Sequence, residues 1–247
     1  MHPRRKNVEV TLAPPAGASD LQLAARFGVA VAPTRDPMAW QLVRRPDGLQ
    51  LSAPAAKVPM LLELSASRGP LAQRLRSARR SEPLPRAIGL PRRQTPPFVL
   101  DATAGLCRDA MVLAHLGCRV TAIERLPALA MLAHDAIAAS PLAARLEVVC
   151  AEAVGYLGDL PAAEAPDVVY LDPMFDAPGR AQVKKEMQIC RALAGPADDV
   201  DALFAAARRV ARERVVVKRH PHLPPLAPDV SFTVQGERVR FDVYLAR

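Results

Sequence analysis

The stretch F-V-L-D-A-T-A-G (residues 98–105) joins a short apolar strand to a loop of small residues. The strand ends at Asp101, and apolar side chains at helical spacing follow over 107–116. Small residues let the backbone turn tightly and approach a ligand before a helix begins. The loop holds one glycine instead of G-x-G-x-x-G, which disfavours the pyrophosphate of a dinucleotide. The stretch therefore predicts the first strand–loop–helix unit of an α/β sheet, with a ligand site at the loop.

The same alternation of strands and helices continues toward the C-terminus. Further strands are predicted over 119–123, 146–150, 167–171 and 214–218, helices over 127–138 and 200–212, and a closing hairpin over 231–234 and 240–245. Strands separated by helices form parallel sheets with right-handed crossovers. We therefore predict an α/β, Rossmann-like domain with a seven-stranded sheet over residues 98–247.

The chain before residue 98 has a different pattern. Residues 1–66 predict a small β-rich N-terminal lobe, in which 40–44 and 48–51 form a hairpin. Residues 67–97 are basic and rich in proline, which predicts a short helix followed by a connector.

Composition excludes several classes of protein. No apolar run reaches the ~18 residues that span a bilayer, and no apolar stretch follows the basic N-terminus as in a signal peptide. The four cysteines (Cys107, Cys118, Cys150 and Cys190) lie far apart, without the Cys/His spacing of a zinc site. We expect a cytoplasmic protein with neither a membrane partner nor a metal.

The net charge of +8 is concentrated in one segment. Residues 68–93 contain eight arginines and one acid, and a second basic cluster lies over 208–219. Arginine offers a planar fork that suits phosphate, so both clusters predict a polyanion-binding surface, with an ordinary solvated surface as the alternative. The candidate RNA-binding residues are Arg74, Arg76, Arg79, Arg80, Lys184, Lys185, Lys218 and Arg219.

Acids end four of the predicted parallel strands: Asp101, Glu124, Glu152 and Asp172. Ligands of open parallel sheets bind beyond these carboxyl ends. Asp101 suits a ligand ammonium group, and Glu124 suits the two hydroxyls of a ribose. Glu152 suits an adenine amino group, although a surface acid fits equally well. Together they favour S-adenosylmethionine over NAD as the cofactor.

The motif Y-L-D-P-M-F (170–175) adds an acceptor site for an amine. Asp172 and the carbonyl of Pro173 offer two acceptors to an exocyclic amine and aim its lone pair at a methyl group. Phe175 offers a stacking face for a base taken out of its stack. The alternative is an ordinary Asp-Pro turn with Phe175 in the core.

Several motifs occur in one order: D-A-T-A-G-L-x-R-D-A (101–110), I-E-R-x-P (123–127), V-V-Y-L-D-P-M-F (168–175), V-K-K-E-M (183–187), R-V-V-V-K-R (214–219) and R-F-D-V-Y (240–244). Over 98–247 the chain resembles the bacterial small-subunit ribosomal RNA guanine-N2 methyltransferase J family. The resemblance implies a class I S-adenosylmethionine-dependent methyltransferase fold and methyl transfer to a guanine amine in 16S ribosomal RNA. The cofactor-site positions that it implies are Arg108, Asp109, Glu124, Arg125, Glu152, Ala153 and Asp172, which join Asp101 and Gly105 of the loop.

Several positions depart from the family pattern. Cys107 replaces a usual glycine, Glu152-Ala153 replaces a usual pair of serines, and Asp176 replaces a usual proline. None of these changes removes a motif acid. The expected partner is 16S ribosomal RNA or the small ribosomal subunit. The alternatives are methylation of another RNA base or a protein amide, a non-catalytic RNA-binding assembly protein, and an NAD oxidoreductase.

Overall fold

The computed structural model describes residues 8–54, 60–173, 189, 192–193 and 199–246. The elements with described bounds are eleven strands in two sheets and seven α-helices, and residues 189 and 192–193 are also helical. None of the helices in these ranges is long and apolar enough to cross a bilayer.

The N-terminal sheet has four strands in the order β1-β2-β3-β4. They are β1 (Thr11–Ala13), β2 (Gln41–Arg45), β3 (Gly48–Ala53) and β4 (Met60–Glu63). The predicted hairpin is confirmed, because β2 and β3 pair antiparallel with Arg45 opposite Gly48. Strand β1 pairs parallel with β2. A parallel pair needs a crossover, and helix α1 (Ala18–Phe27), which the sequence analysis did not predict, lies between the two strands in the chain.

The basic segment forms more helix than the sequence predicts. Helix α2 (Gly69–Ser77) is followed by helix α3 (Pro83–Ile88) and a 3-10 turn (Leu90–Arg92). The connector was expected because prolines break helices. However, Pro83 and Pro85 lie in the first turn of α3, where a missing N–H removes no helical hydrogen bond.

The predicted seven-stranded sheet is confirmed, in the order β10-β11-β9-β8-β5-β6-β7. Its strands are β5 (Phe98–Asp101), β6 (Arg119–Glu124), β7 (Leu146–Cys150), β8 (Val168–Leu171), β9 (Arg214–Arg219), β10 (Phe232–Gln235) and β11 (Arg240–Leu245). Strands β5 to β9 are parallel, whereas β11 pairs antiparallel with β9 and with β10. Strand β5 is the middle one of the five parallel strands, and the chain passes to opposite sides of it through β6 and β8.

Helices cover both faces of this sheet. They are α4 (Arg108–His115), α5 (Pro127–Ala138), α6 (Ala153–Asp159) and α7 (Val200–Val210), with 3-10 turns at Pro141–Ala144 and Ala162–Glu164. Successive strand side chains point to opposite faces. Accordingly, Val99 and Val216 pack in the core that contains α4 and α5. Leu100 and Val217 pack in the core that contains α6 and α7. A sheet buried on both faces explains why its strands are continuously apolar.

Three charged side chains, which we call the lobe cluster, attach the N-terminal sheet to α5. Arg44 of β2 donates to Asp20 of α1 at 2.9 Å and to Asp135 of α5 at 3.1 and 2.7 Å. Asp135 also accepts from the backbone N–H of Leu49 at 2.8 Å. Burial alone would raise the pKa of Asp20, but the hydrogen bonds from Arg44 and from the N–H of Gly17 outweigh it and lower that pKa. Each carboxylate of the cluster thus has a partner.

Candidate active site

Asp101 ends β5 at the carboxyl edge of the sheet and is 2% exposed. Its Oδ1 accepts from the N–H of Thr103 at 3.1 Å. Burial raises the pKa of Asp101 to about 8, because a charged carboxylate loses its hydration there, and the nearby Asp109 and Asp172 add repulsion. A buried acid with such a pKa is a candidate partner for a cationic ligand.

The loop after Asp101 leaves space for a ligand. Gly105 adopts φ +53°, and apart from its two chain neighbours no described heavy atom lies within 4 Å of the position that a Cβ would take there. Cys107, which replaces the usual glycine, also adopts the left-handed conformation (φ 55°) and is fully buried. That conformation costs a non-glycine residue about 1–2 kcal/mol. The loop therefore keeps a glycine-like path despite the substitution.

A direct hydrogen bond joins the ends of β5 and β8. The backbone N–H of Asp172 donates to Oγ1 of Thr103 at 2.6 Å. The two strands are neighbours at the point where the strand order reverses. Open α/β sheets bind their ligands at this switch point. The structure thus brings Asp101 and Asp172 to one crevice, as the sequence predicts.

Five polar side chains meet at this edge and form what we call the crevice cluster: Asp101, Asp109, Tyr170, Asp172 and Lys218. The Nζ atom of Lys218 lies 2.9 Å from Oδ2 of Asp109 and 2.8 Å from Oδ2 of Asp172. The hydroxyl of Tyr170 donates to Oδ2 of Asp109 at 2.7 Å. Asp109 stands in the first turn of α4, where the helix dipole also favours negative charge.

The protonation states within the crevice cluster differ. Burial alone would raise the pKa of Asp109, but attraction to Lys218 and the Tyr170 hydrogen bond outweigh it and lower that pKa. Burial, reinforced by repulsion from Asp109, raises the pKa of Asp172 in spite of Lys218. The two carboxylates keep the pKa of Lys218 above its ordinary value, although burial opposes this. Lys218 therefore stays charged, and Asp172 is the more readily protonated of its two partners.

Glu124 ends β6 beside this crevice and is 8% exposed. Its Oε1 accepts from the N–H of Leu126 at 2.7 Å, which orients the carboxylate. The loop after β5 is tied to the same strand, because the N–H of Ala104 donates to the carbonyl of Ile123 at 3.0 Å. Arg125 follows directly and is half-buried.

Glu152 follows β7 and caps helix α6. Its two carboxylate oxygens accept from the N–H groups of Val154 and Gly155, at 3.0 and 2.8 Å. Ala153 is the first residue of that helix. The cap accounts for an acid at this position, and the adenine contact of Glu152 stays a prediction.

Three of the four candidate arginines in the basic segment make side-chain contacts that partly occupy them. Arg74 is paired with Glu82, Arg79 donates to the carbonyls of Arg76 and Ala78 at 3.0 and 2.9 Å, and Arg80 donates to the carbonyl of Leu116 at 3.3 Å. Arg76 and Arg79 are exposed on the surface beside α4. The exposed part of the segment thus runs along the flank of the helix that carries Asp109.

The second basic cluster is mostly engaged within the protein. Arg208 is paired with Asp229 at 2.8 Å, and Arg212 donates to the carbonyls of Ala162 and Ala163 at 3.2 and 2.9 Å. Of the two arginines in helix α7, Arg209 is the exposed one. The second cluster therefore offers a polyanion fewer uncommitted arginines than its sequence suggests, and its RNA-binding role stays a prediction.

Lys218 and Arg219, predicted as a pair, point to opposite faces of the sheet. Lys218 points toward α4, whereas Arg219 is 5% exposed and donates to the carbonyl of Pro224. Phe175, Lys184 and Lys185 lie outside the described residues, while Pro173 is buried after Asp172. Within the described ranges, no cluster of His, Cys, Asp or Glu has a metal-binding arrangement.

Sequence reasoning did not predict the contribution of Tyr170 to this site. The available signal was strand parity, since residues two apart in a strand point to the same face. Tyr170 is two residues before Asp172, so its hydroxyl belongs on the side of the strand that faces α4.

Comparisons with known proteins agree with this geometry. A family model described as "Putative SAM-dependent methyltransferase" matches residues 22–246. A Nitrosococcus oceani protein named ribosomal RNA small subunit methyltransferase J is 41% identical over 216 residues, which cover 83% of each chain. A protein of the same name from Chromohalobacter salexigens is 40% identical over 238 residues, covering 91% of this chain and 93% of the relative. The crystal structure of a SAM-dependent methyltransferase from Neisseria gonorrhoeae matches with a TM-score of 0.72 at 30% identity, over 96% of this chain and 95% of that one. The predicted fold class is thereby confirmed.

Proposed function

This chain belongs to the ribosomal RNA small subunit methyltransferase J family, and on that premise we propose that it methylates the exocyclic N2 amine of a guanine in 16S ribosomal RNA. The observation that carries the proposal is the joined ends of β5 and β8. There the Asp172-Pro173 acceptor pair lies directly beside the Asp101 loop, linked by the 2.6 Å bond to Thr103.

The charge of the crevice suits S-adenosylmethionine. Three carboxylates (Asp101, Asp109 and Asp172) surround one ammonium group there, so a cationic ligand is electrostatically favoured. The space in front of Gly105 allows a ligand to approach the backbone. We assign Asp101 to the ammonium group of S-adenosylmethionine and Glu124 to its ribose. Arg108, Asp109 and Arg125 complete the cofactor site. Bound S-adenosylmethionine supplies an electrophilic methyl group on its sulfonium.

The acceptor amine is oriented by Asp172 and the carbonyl of Pro173. Two acceptors on the two amine hydrogens direct the nitrogen lone pair toward the methyl group, so catalysis comes mainly from positioning. The amine loses one proton after it gains the methyl group. The side chain of Asp172 is 39% exposed, which gives that proton a path to water. We assign Phe175 to stacking on the flipped guanine.

The exposed arginines beside α4 suit the phosphates that flank the target base. Arg76, Arg79 and Arg80 provide positive charge close to the helix that carries Asp109. Contacts of this kind add affinity without reading sequence. We propose that the enzyme acts in the cytoplasm, on 16S ribosomal RNA or on the small subunit that contains it.

A methylation assay tests this function. The purified protein is incubated with labelled S-adenosylmethionine and with ribosomal RNA or small subunits from cells that lack the protein. We expect label in N2-methylguanosine after nuclease digestion, at one nucleotide of 16S ribosomal RNA.

Three results would contradict the proposal in different ways. Label in another base indicates a different RNA methyltransferase, and label in protein indicates an amide methyltransferase. RNA binding without cofactor binding, measured by calorimetry, indicates a non-catalytic assembly protein.

A further inference from the structure

Lys218 is placed differently from a phosphate-binding residue. It lies near the end of β9, its side chain is 25% exposed, and its Nζ bonds carboxylates from α4 and from the end of β8. Arg219 points to the other face of the sheet and donates to the carbonyl of Pro224. The two cations therefore do not form a joint basic surface. Lys218 instead neutralises acids that the methyl-transfer site uses.

We propose that Lys218 is a positioning residue for the acceptor amine, because it bonds one oxygen of the Asp172 carboxylate and leaves the other oxygen for the amine. This inference rests on the proposed function of the site. It assigns Lys218 to the orientation of the base that receives the methyl group, and no longer to the RNA backbone.

The geometry supports this role in two steps. The main chain of Asp172 is fixed by its hydrogen bond to Thr103, and its side chain is fixed through Oδ2 by Lys218. Oδ1 belongs to the same rigid carboxylate, so its position is set as well. An ionised carboxylate accepts hydrogen bonds at both oxygens. The Asp172 carboxylate can therefore accept from Lys218 at one oxygen and from the guanine amine at the other.

Protonation of Asp172 would disrupt this arrangement. A protonated carboxyl presents a donor O–H, which competes with the amine hydrogens that the site must hold. The groups that act on Asp172 or on its neighbour Asp109 come from five elements: Lys218 (β9), Asp109 (α4), Asp101 (β5), Tyr170 (β8) and Arg74 (α2). Lys218 is the group among them that directly bonds Asp172 and lowers its pKa. Without it, burial and repulsion from Asp109 would extend protonation to higher pH.

The test compares the wild type with Lys218→Gln, which removes the charge, and Lys218→Arg, which keeps it. For each protein, kcat and the KM for RNA are measured between pH 5.5 and 9. We expect the acid limb of kcat to move up by about one pH unit or more in Lys218→Gln, which is about a tenfold loss on that limb. We expect Lys218→Arg to restore most of the profile and the KM for RNA to stay unchanged.

Two results would overturn the positioning role. A higher KM for RNA and a salt dependence weaker by about one unit, with an unchanged pH profile, would identify Lys218 as a phosphate contact. An equal loss of kcat at every pH in both variants, with a lower unfolding midpoint, would identify a purely structural residue.

A second measurement does not depend on turnover. The carboxyl carbon of Asp172, labelled with carbon-13, is titrated by NMR in the wild type and in Lys218→Gln. We expect a higher pKa in the variant, and equal values would overturn the inference. If the pKa of Asp172 is higher in Lys218→Gln but the wild type methylates no guanine, the proposed function fails while the coupling of Lys218 to Asp172 stands.

Discussion

Where the N-terminal sheet meets α5, Arg44 bonds two carboxylates, and where β5 and β8 end, Lys218 likewise bonds two. In both clusters one cation bonds two acids, but the pKa values of Asp20 in the first and Asp101 in the second are shifted in opposite directions. In the lobe cluster the hydrogen bonds from Arg44 and from Gly17 leave Asp20 with a lowered pKa. In the crevice a third carboxylate, Asp101, is buried nearby with its pKa raised to about 8.

This difference separates a structural ion cluster from a binding site. The lobe cluster is complete, so its acids gain nothing from a further cation. The crevice cluster remains short of positive charge, and the pKa values of Asp101 and Asp172 are both raised. Strongly perturbed carboxylates in a cleft are typical of functional sites. The missing charge corresponds to a cationic ligand such as S-adenosylmethionine.

The largest effect is expected from Asp172→Ala. The variant loses an acceptor that orients the amine, so kcat should fall by about 10²–10³-fold. Binding of S-adenosylmethionine, measured by calorimetry, should change far less, because Asp101 and Glu124 remain. Glu164→Ala removes an exposed carboxylate from the same domain and serves as the control. Near-normal turnover in Asp172→Ala would remove the acceptor role from this residue.

The lobe cluster should respond in stability instead of catalysis. Arg44→Met leaves Asp20 and Asp135 close together without their shared cation, and Asp20 is 2% exposed. We expect the free energy of unfolding to fall by about 3 kcal/mol in urea titrations, as for other broken buried pairs. The kcat of the folded fraction should be unchanged.

A double variant isolates the charge effect at this cluster. Adding Asp20→Asn to Arg44→Met removes one unpaired carboxylate, so part of the lost stability should return. If the double variant is less stable than Arg44→Met by the full effect of Asp20→Asn alone, the two residues are not coupled.

Asp101→Asn should make the free energy of unfolding depend less on pH than it does in the wild type. The folded-state pKa of about 8 lies above the unfolded value, so the native state holds an extra proton between those values and loses stability as pH rises toward 8. The amide cannot ionise, and its oxygen still accepts from the N–H of Thr103. Between pH 5 and 8 we expect the variant to lose about 3–4 kcal/mol less stability than the wild type, at about 1.4 kcal/mol per pH unit.

The same variant should bind S-adenosylmethionine more weakly. Because a cationic ligand favours the ionised carboxylate, binding to the wild type should release a proton near pH 7, and affinity should rise with pH up to about 8. Calorimetry in buffers of different ionisation enthalpy measures that proton. Equal proton release in Asp101→Asn would assign it to another group.

The sequence predicted the seven strands of the large sheet and the β2–β3 hairpin, because most of these are short apolar runs with distinct ends, whereas β1 and β4 were not predicted individually. Helix α1 was not predicted, and the prolines of α3 were taken as signs of an irregular connector. The acids at strand ends were placed correctly at one edge, since parallel strands share that edge. The partners in both clusters could not be predicted. Arg44 and Asp135 are 91 residues apart, and Lys218 and Asp109 are 109 apart, so no local pattern joins them.

The arginines also differ in whether their charge is paired within the protein or exposed to a ligand. The smallest effects are expected from replacing them. Arg76 and Arg80 are exposed beside α4, and their replacement by Gln should weaken RNA binding several-fold. The slope of log affinity against log salt should fall by about one for each phosphate that the variant no longer neutralises.

Arg208→Gln is the matched control for this pair of arginines. It removes the same charge per residue. However, Arg208 lies on α7, at the opposite face of the sheet, and is paired with Asp229. We expect a loss of stability of at most about 1 kcal/mol, with an unchanged salt slope. An equal change of slope per arginine removed would mean that the RNA responds to net charge and not to the arginines beside α4. The difference between satisfied and available charge that distinguishes the two clusters would then not extend to the RNA surface.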